Sequence, residues 1–270
     1  MNDSMAMEGG SWLARGLRAL ILAKARRRPA TEMAATPAIV FAPHQDDETL
    51  GCGGVIAAKR EQGTPVTVVF FTDGAGRPPA DASLAQQRRE EAREACDKLG
   101  VDPSRVVFLD FPDGDLWQHL AAATDAALDL LKQHPEAELY IPHRHDGHPD
   151  HEAAAEAVLA ACRKSGRDYR VFQYPVWLWH RYPVISNPDC RLRCRFAGLT
   201  RFATALLGAR TVSVDIRNWL TDKQEALSCH VSQLHSHGSE GHGLVDVGDG
   251  AWLACLMSSD ELFVQTSYDS

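Results

Sequence analysis

No stretch of the sequence is apolar for long enough to cross a bilayer. The segment WLARGLRALILAKARRRPA (12 to 30) is interrupted by Arg15, Arg18 and Lys24, and no small-residue cleavage site follows a proper apolar core. Basic residues are not in excess: the net charge is −8 over 270 residues, which excludes the dominant basic face that nucleic acid requires. The seven cysteines are odd in number and contain no CxxC pair, which excludes a disulfide framework and leads us to expect a reducing cytoplasm. CRLRC (190 to 194) has no second pair at finger-like spacing, so Cys190 and Cys194 read as ordinary thiols. GCGG (51 to 54) is not GxGxxG and follows acids where phosphates would have to sit. Its glycines read instead as room for a helix to pack closely on a strand. No GxSxG elbow, phosphate loop or internal repeat occurs.

What is present is an alternation. Apolar β-rich runs at 38 to 43, 65 to 73, 105 to 111, 138 to 143, 170 to 179 and 210 to 216 read as strands. Helical patterns lie between them near 49 to 62, 83 to 99, 116 to 134, 151 to 164 and 218 to 231. Continuous apolar strands separated by helices predict an α/β fold, a Rossmann-like doubly wound and mostly parallel sheet in a single domain covering 37 to 270. Residues 1 to 36 form a basic N-terminal segment. Two readings of 12 to 28 stand beside each other: a helix lying on an anionic membrane surface, and a helix docked on its own domain or a partly ordered tail. Residues 180 to 210 break the alternation with six arginines against one acid, Asp189. They read as an inserted basic loop, either a solvated surface segment or a rim for an anionic group such as a phosphate. The Gly-, Ser- and His-rich stretch after 232, with His235, His237 and His242, reads as a loop.

In such sheets ligands collect beyond the carboxyl ends of the strands. The unusual residues sit there: PHQDDE after the first strand, TDGAG after the second, FPDGD after the third and PHRHDGHPDH after the fourth. His44 and Asp47 are three apart in a strand-to-helix turn, and His148 and His151 repeat that spacing. Three nitrogen and oxygen ligands with one position open describe a catalytic metal site, which points to His44, Asp47 and His151. Packing Asp46, Asp47 and Glu48 together without a cation is costly, and a dication resolves the conflict. An acidic turn capping the next helix would also be common, but it explains neither His44 nor the second cluster. Asp46, not committed to the metal, is the candidate general base. His148 is the candidate donor to a developing oxyanion, with Asp150 orienting an imidazole.

These motifs resemble the PIG-L/LmbE-like family of zinc-dependent N-deacetylases, over about 38 to 231. The resemblance extends to Arg88, Glu91, Ala95, Leu99 and Gly100, to FPDGDL (111 to 116), and to Lys223, Ala226, Leu227, His230, Ser232 and Gln233. It implies zinc on His44, Asp47 and His151, Asp46 as base, His148 stabilising the tetrahedral intermediate, and Arg88 and Asp113 at sugar hydroxyls. Three departures stand out: Gln45 for a proline, Ala75 where relatives often carry glutamate, and Asp146 where some carry a polarising tyrosine. The expected activity is removal of acetyl from an N-acetylated amino sugar in a glycan, glycolipid or metabolite, by metal-activated water. Zn²⁺ is the expected ion, the ligand types also admit Fe²⁺ or Co²⁺, and no organic cofactor is required. The expected partners are a small-molecule or glycan substrate, no nucleic acid, and peripheral membrane contact through 12 to 28 if that segment is not docked. The rivals are an amidase of the same fold acting on a non-sugar amide, and a catalytically silent metal- or ligand-binding protein.

Overall fold

The computed structural model describes residues 12–76, 80–181, 206, 210–235, 243–247 and 250–266. Eight strands form one sheet: β1 (Arg26–Pro29), β2 (Ala38–Ala42), β3 (Val66–Thr72), β4 (Val106–Phe111), β5 (Glu138–Pro142), β6 (Val171–Tyr174), β7 (Thr211–Asp215) and β8 (Asp260–Thr266). Their order is β1-β7-β8-β6-β5-β2-β3-β4. All pairings are parallel except those of β8, which runs antiparallel to β6 and β7.

Because successive side chains in a strand face opposite ways, the apolar runs feed two cores. Val40, Val68, Phe70, Tyr140 and Phe172 pack on one face with helices Asp47–Glu61, Ala82–Lys98 and Leu220–Cys229. Ile39, Phe41, Val69, Phe71, Leu139 and Ile141 pack on the other with helices Leu120–Gln133 and Pro149–Ser165. This is the doubly covered sheet the alternation predicts, and each expected strand except the fifth lies within a residue or two of its reading. The fifth ends at Tyr174, not 179. The Asp146 carboxylate takes the backbone N–H groups of Val176 (2.9 Å), Trp177 (2.9 Å) and Leu178 (3.0 Å), turning the chain into the short helix Leu178–Arg181.

Two strands lie outside the sequence expectation. β1 is the basic run RRRP, held at the sheet edge by β7, and β8 follows the His- and Gly-rich stretch. The N-terminal segment therefore joins the sheet of the main domain. Its helix Trp12–Lys24 also packs there, with Ile21 fully buried and the Arg18 guanidinium on Ser258 and on Asp260 O at 3.3 Å. No helix among the described residues is long and apolar enough to cross a membrane. The stretch after 232 is not loop throughout: helix Val231–Leu234 runs into it, the 3₁₀ turn Leu244–Asp246 lies within it, and helix Ala251–Leu256 follows just beyond. The basic loop is, apart from a few residues at its ends, outside the described residues, as are His237 and His242.

The order reverses at β2, whose neighbours are β3 on one side and β5 on the other, with Ala38 facing Glu138 and Val40 facing Tyr140. Their carboxyl ends are adjacent, and this switch point is where a doubly wound sheet opens a crevice. GCGG does allow close approach: a Cβ on Gly51 would overlap the Tyr174 ring, and one on Gly54 would overlap Ile216.

Candidate active site

The turn after β2 carries His44 to Asp46 and passes at once into helix Asp47–Glu61, placing Asp47 and Glu48 in the first turn, where the helix dipole favours negative charge. The turn after β5 reaches His148 as N-cap and Pro149 at the first position of helix Pro149–Ser165, where proline loses no hydrogen bond. Both turns aim their side chains into the crevice.

There the two motifs meet on one atom. Asp47 Oδ2 lies 3.2 Å from His44 Nδ1 and 3.2 Å from His151 Nε2, and it accepts the His44 backbone N–H at 3.0 Å. The three imidazoles of His44, His148 and His151 have centroids 4.9 to 5.4 Å apart. Nitrogens of these three histidines, and separately donor atoms of His44, Asp113 and Asp150, lie within 4.8 Å of one another and can hold a metal. His151 is buried and neither ring nitrogen meets hydrogen-bond geometry, although Asp47 and Asp146 lie 3.2 and 2.9 Å away. A buried nitrogen left in that state is costly unless something else takes its lone pair. Together with the nitrogen and oxygen donors, this fits a divalent cation.

The electrostatics agree. Burial works to lower the His151 pKa, but Asp47 and Asp146 outweigh it and raise the pKa to about 9. Hydrogen bonds to Asp113, Asp150 and Asp47 likewise overcome burial at His44 and raise its pKa well above the usual value. The Asp47 carboxyl is held far below its ordinary range by His151 and His44 against the opposing effect of burial. Asp46 moves the other way, to about 7, through burial and the charge of Asp47. Burial and the neighbouring imidazoles lower His148 to about 3, so its ring is neutral. Its Nδ1 accepts the Asp150 backbone N–H at 3.3 Å, which leaves Nε2 to carry the proton.

Asp150 accepts the N–H groups of Gly114 (2.8 Å) and Leu116 (3.1 Å) and lies 3.1 Å from His44 Nε2. The imidazole it orients is therefore that of His44. Asp113 Oδ1 is 3.3 Å from the same nitrogen, and its Oδ2 is 3.5 Å from Arg88, which also donates to Gly74 O at 3.1 Å. Gln45, in the place of the expected proline, is buried and donates to Thr72 O at 2.7 Å, so it braces the turn from behind.

Several residues that hold the site were not given roles by the sequence. Asp146, noted there only for displacing a tyrosine, is the carboxylate partner of His151. Lys223, His230 and Gln233, quoted as a motif without a role, clamp the first turn from the far side. Lys223 donates to Leu50 O (3.0 Å) and Glu261 (2.7 Å), His230 Nε2 lies 3.0 Å from Glu48, and Gln233 donates to Gln45 O. Ser232 binds Glu91, at 2.9 Å through its N–H and 2.6 Å through its hydroxyl. A cleft of about 560 Å³ opens over the centre. His44, Asp46, Arg88, Asp113, His148 and Trp177 are among the residues facing it.

A family model described as PIG-L, GlcNAc-PI de-N-acetylase, matches residues 39–162, a span that contains both turns. The chain is 29% identical over 207 residues to the probable N-acetyl-alpha-D-glucosaminyl L-malate deacetylase 2 of Bacillus subtilis (strain 168), covering 72% of this chain and 82% of that one. Among solved structures it is similar to a conserved protein of Thermus thermophilus, with a TM-score of 0.57 and 24% identity over 85% of this chain and 94% of that one. It is also similar to the 4-carboxy-2-hydroxymuconate hydratase of Pseudomonas putida KT2440, with a TM-score of 0.58 and 17% identity over 87% and 97%. These two likenesses concern the fold, which is shared by proteins of different reaction classes, so the chemistry has to be read from the site.

Proposed function

Because the chain belongs to the PIG-L family, we propose that it is a metal-dependent N-deacetylase acting on an N-acetylated amino sugar of the N-acetylglucosamine type. The observation that carries this reading is the meeting of His44 and His151 on one carboxylate oxygen of Asp47, beside an uncommitted acid and a neutral histidine.

His44, Asp47 and His151 would hold the ion, with zinc as the first choice and ferrous iron or cobalt suited to the same donors. His148 is left out of the ligand set because its Nδ1 already accepts a backbone N–H, whereas the Asp47 oxygen sits between two rings. When bound, such an ion polarises the acetamide carbonyl and lowers the pKa of water in its reach.

The remaining work falls to side chains of this chain. Asp46, facing the cleft, takes the proton from the attacking water and returns it to the leaving nitrogen. A cation next to it drives its carboxyl toward the ionised form that accepts that proton. His148 donates from Nε2 to the oxygen of the tetrahedral carbon, and its neutral ring needs no deprotonation to do so. Asp150 and Asp146 fix the imidazole planes of His44 and His151. Arg88 and Asp113 offer a donor and an acceptor at the cleft wall for sugar hydroxyls.

The test is acetate release from N-acetylglucosamine in free, nucleotide-linked and lipid-linked form, and from acetamide, before and after chelator treatment. Sugar-dependent release that chelator abolishes and zinc restores is expected. Release from acetamide but from no sugar would remove the substrate class. Turnover of a hydratase substrate without acetate would remove the reaction class.

A further inference from the structure

We infer that the buried ion pair Lys223–Glu261 is a positioning device: it fixes the helix step from Leu50 to Gly54, and through that step the places of Asp46 and Asp47. This rests on the metal-dependent reading above and deepens it. Both side chains are buried, and they come from different elements, Lys223 from helix Leu220–Cys229 and Glu261 from β8. In an uninterrupted α-helix the Gly54 N–H donates to Leu50 O and the Val55 N–H to Gly51 O. Here Glu261 Oε1 accepts the Gly54 N–H at 2.8 Å, Glu261 Oε2 accepts the Val55 N–H at 2.9 Å, and Lys223 Nζ donates to Leu50 O at 3.0 Å. Lys223 Nζ also donates to Glu261 Oε1 at 2.7 Å, so the pair bridges the donor and the acceptor that a helix matches to each other. The local chain does not dictate its own path there. Three of the four residues from 51 to 54 are glycine, the weakest helix former after proline, and a Cβ on Gly53 would overlap the Lys223 stem.

Leu50 connects the step to the chemistry. Its N–H donates to Asp46 O at 2.9 Å and its C=O receives Lys223, so one residue links the buried ammonium to the proposed base. Asp47 follows directly, and its Oδ2 is the oxygen on which His44 and His151 meet. A change in the rise of this step therefore moves a proposed metal ligand and the base together. Stability alone gives little reason for the pair. Burying an ammonium and a carboxylate carries a desolvation cost, and apolar side chains of similar volume often serve as well or better. Removing both charges would leave no backbone orphan, because Gly54 N and Val55 N could turn to Leu50 O and Gly51 O as ordinary helical partners. The helix would then follow its own geometry, and its first turn would no longer be set by β8 and helix Leu220–Cys229.

The experiment uses the full chain, with zinc and N-acetylglucosamine as probes. Denaturant unfolding, chelator competition for zinc and steady-state kinetics are measured on wild type, K223M/E261M and E261Q. The double variant is expected to unfold at a denaturant concentration no lower than wild type, yet to bind zinc about tenfold or more weakly. At saturating zinc its kcat should fall about tenfold or more, with KM within about twofold. E261Q keeps the shape and the lysine, should weaken zinc binding about three- to tenfold, and decides the matter if the double variant fails to fold. Wild-type zinc affinity and kcat in the folded double variant, or in E261Q in its place, would overturn the inference. Lower stability with unchanged zinc affinity per folded molecule would overturn it too, since the pair would then serve the scaffold alone. Wild type that binds zinc but deacetylates no sugar would overturn the functional reading, and chelator competition would still decide the role of the pair. Wild type with no affinity for zinc would overturn both.

Discussion

The two ends of β5 both bury charge, in opposite ways. At its amino end, Glu138 faces Lys59 at 3.0 Å and Arg170 at 2.9 Å and accepts the Tyr140 hydroxyl at 3.2 Å. Lys59 is completed by Thr36 O at 2.7 Å and by Met33 O. Beyond its carboxyl end, Asp47, Asp113, Asp146 and Asp150 surround two imidazoles. The first cluster carries its own permanent cations and is closed. Apart from Arg88 on Asp113, the cations of the second among the described residues can be titrated away, so a dication can replace the protons. One strand thus separates a charge cluster built for stability from one built for exchange.

The largest effect expected from breaking this contrast is at Asp46. Asp46→Asn keeps the shape, leaves the proposed ligands in place, and should cost about 10²–10⁴ in kcat. Metal content measured on the same sample should stay at the wild-type level, and normal turnover would remove Asp46 from the mechanism. At the closed end, Lys59→Met leaves Glu138 buried with Arg170 as its remaining ionic partner. Denaturant unfolding should show a loss of about 2–3 kcal/mol, with turnover per folded molecule retained. A loss of metal in that variant would mean the two ends are not independent.

Asp146→Asn sharpens the comparison from the open side. Weakening the carboxylate partner of His151 should lower metal affinity about 10- to 100-fold in a competition titration with a chromogenic chelator. The smallest expected effect is on pH dependence. His151 is raised to about 9 and His44 is also raised, so in metal-free protein their contribution to stability is fully present below about 6.5. It is lost as pH climbs through their folded values. The melting temperature of the chelator-treated protein should therefore fall by several degrees between pH 6.5 and 9. With zinc added, the fall should flatten or reverse, because protons no longer compete for the ligands.

The parts of this layout that are local in sequence were legible there. Five strands could be read because their apolar runs are continuous, with β2, β3, β5 and β7 buried along almost their whole length and the edge strand β4 only partly covered, and the two histidine-containing turns could be read from spacing within four residues. β1 was not legible, because RRRP at a sheet edge needs no apolar pattern to pair on one side. β8 was not, because it follows a polar stretch and is defined by its neighbours β6 and β7. The role of Asp146 depends on N–H groups about 30 positions downstream. The clamp on the first turn depends on Gln233, 188 positions from Gln45. Contacts of that kind leave no periodicity to read, although the motif residues they use were visible.

The crossover at β2 has a consequence for how the protein comes to exist. His44 and Asp150 are 106 positions apart, and β5 can settle next to β2 only after the excursion through β3 and β4 is complete. Neither half of the chain can collect the donor atoms early, so the unfinished polypeptide offers a scavenging ion no high-affinity foothold. Capture of an ion by the proposed ligands would thereby be deferred until β2 and β5 have paired at the centre of the sheet.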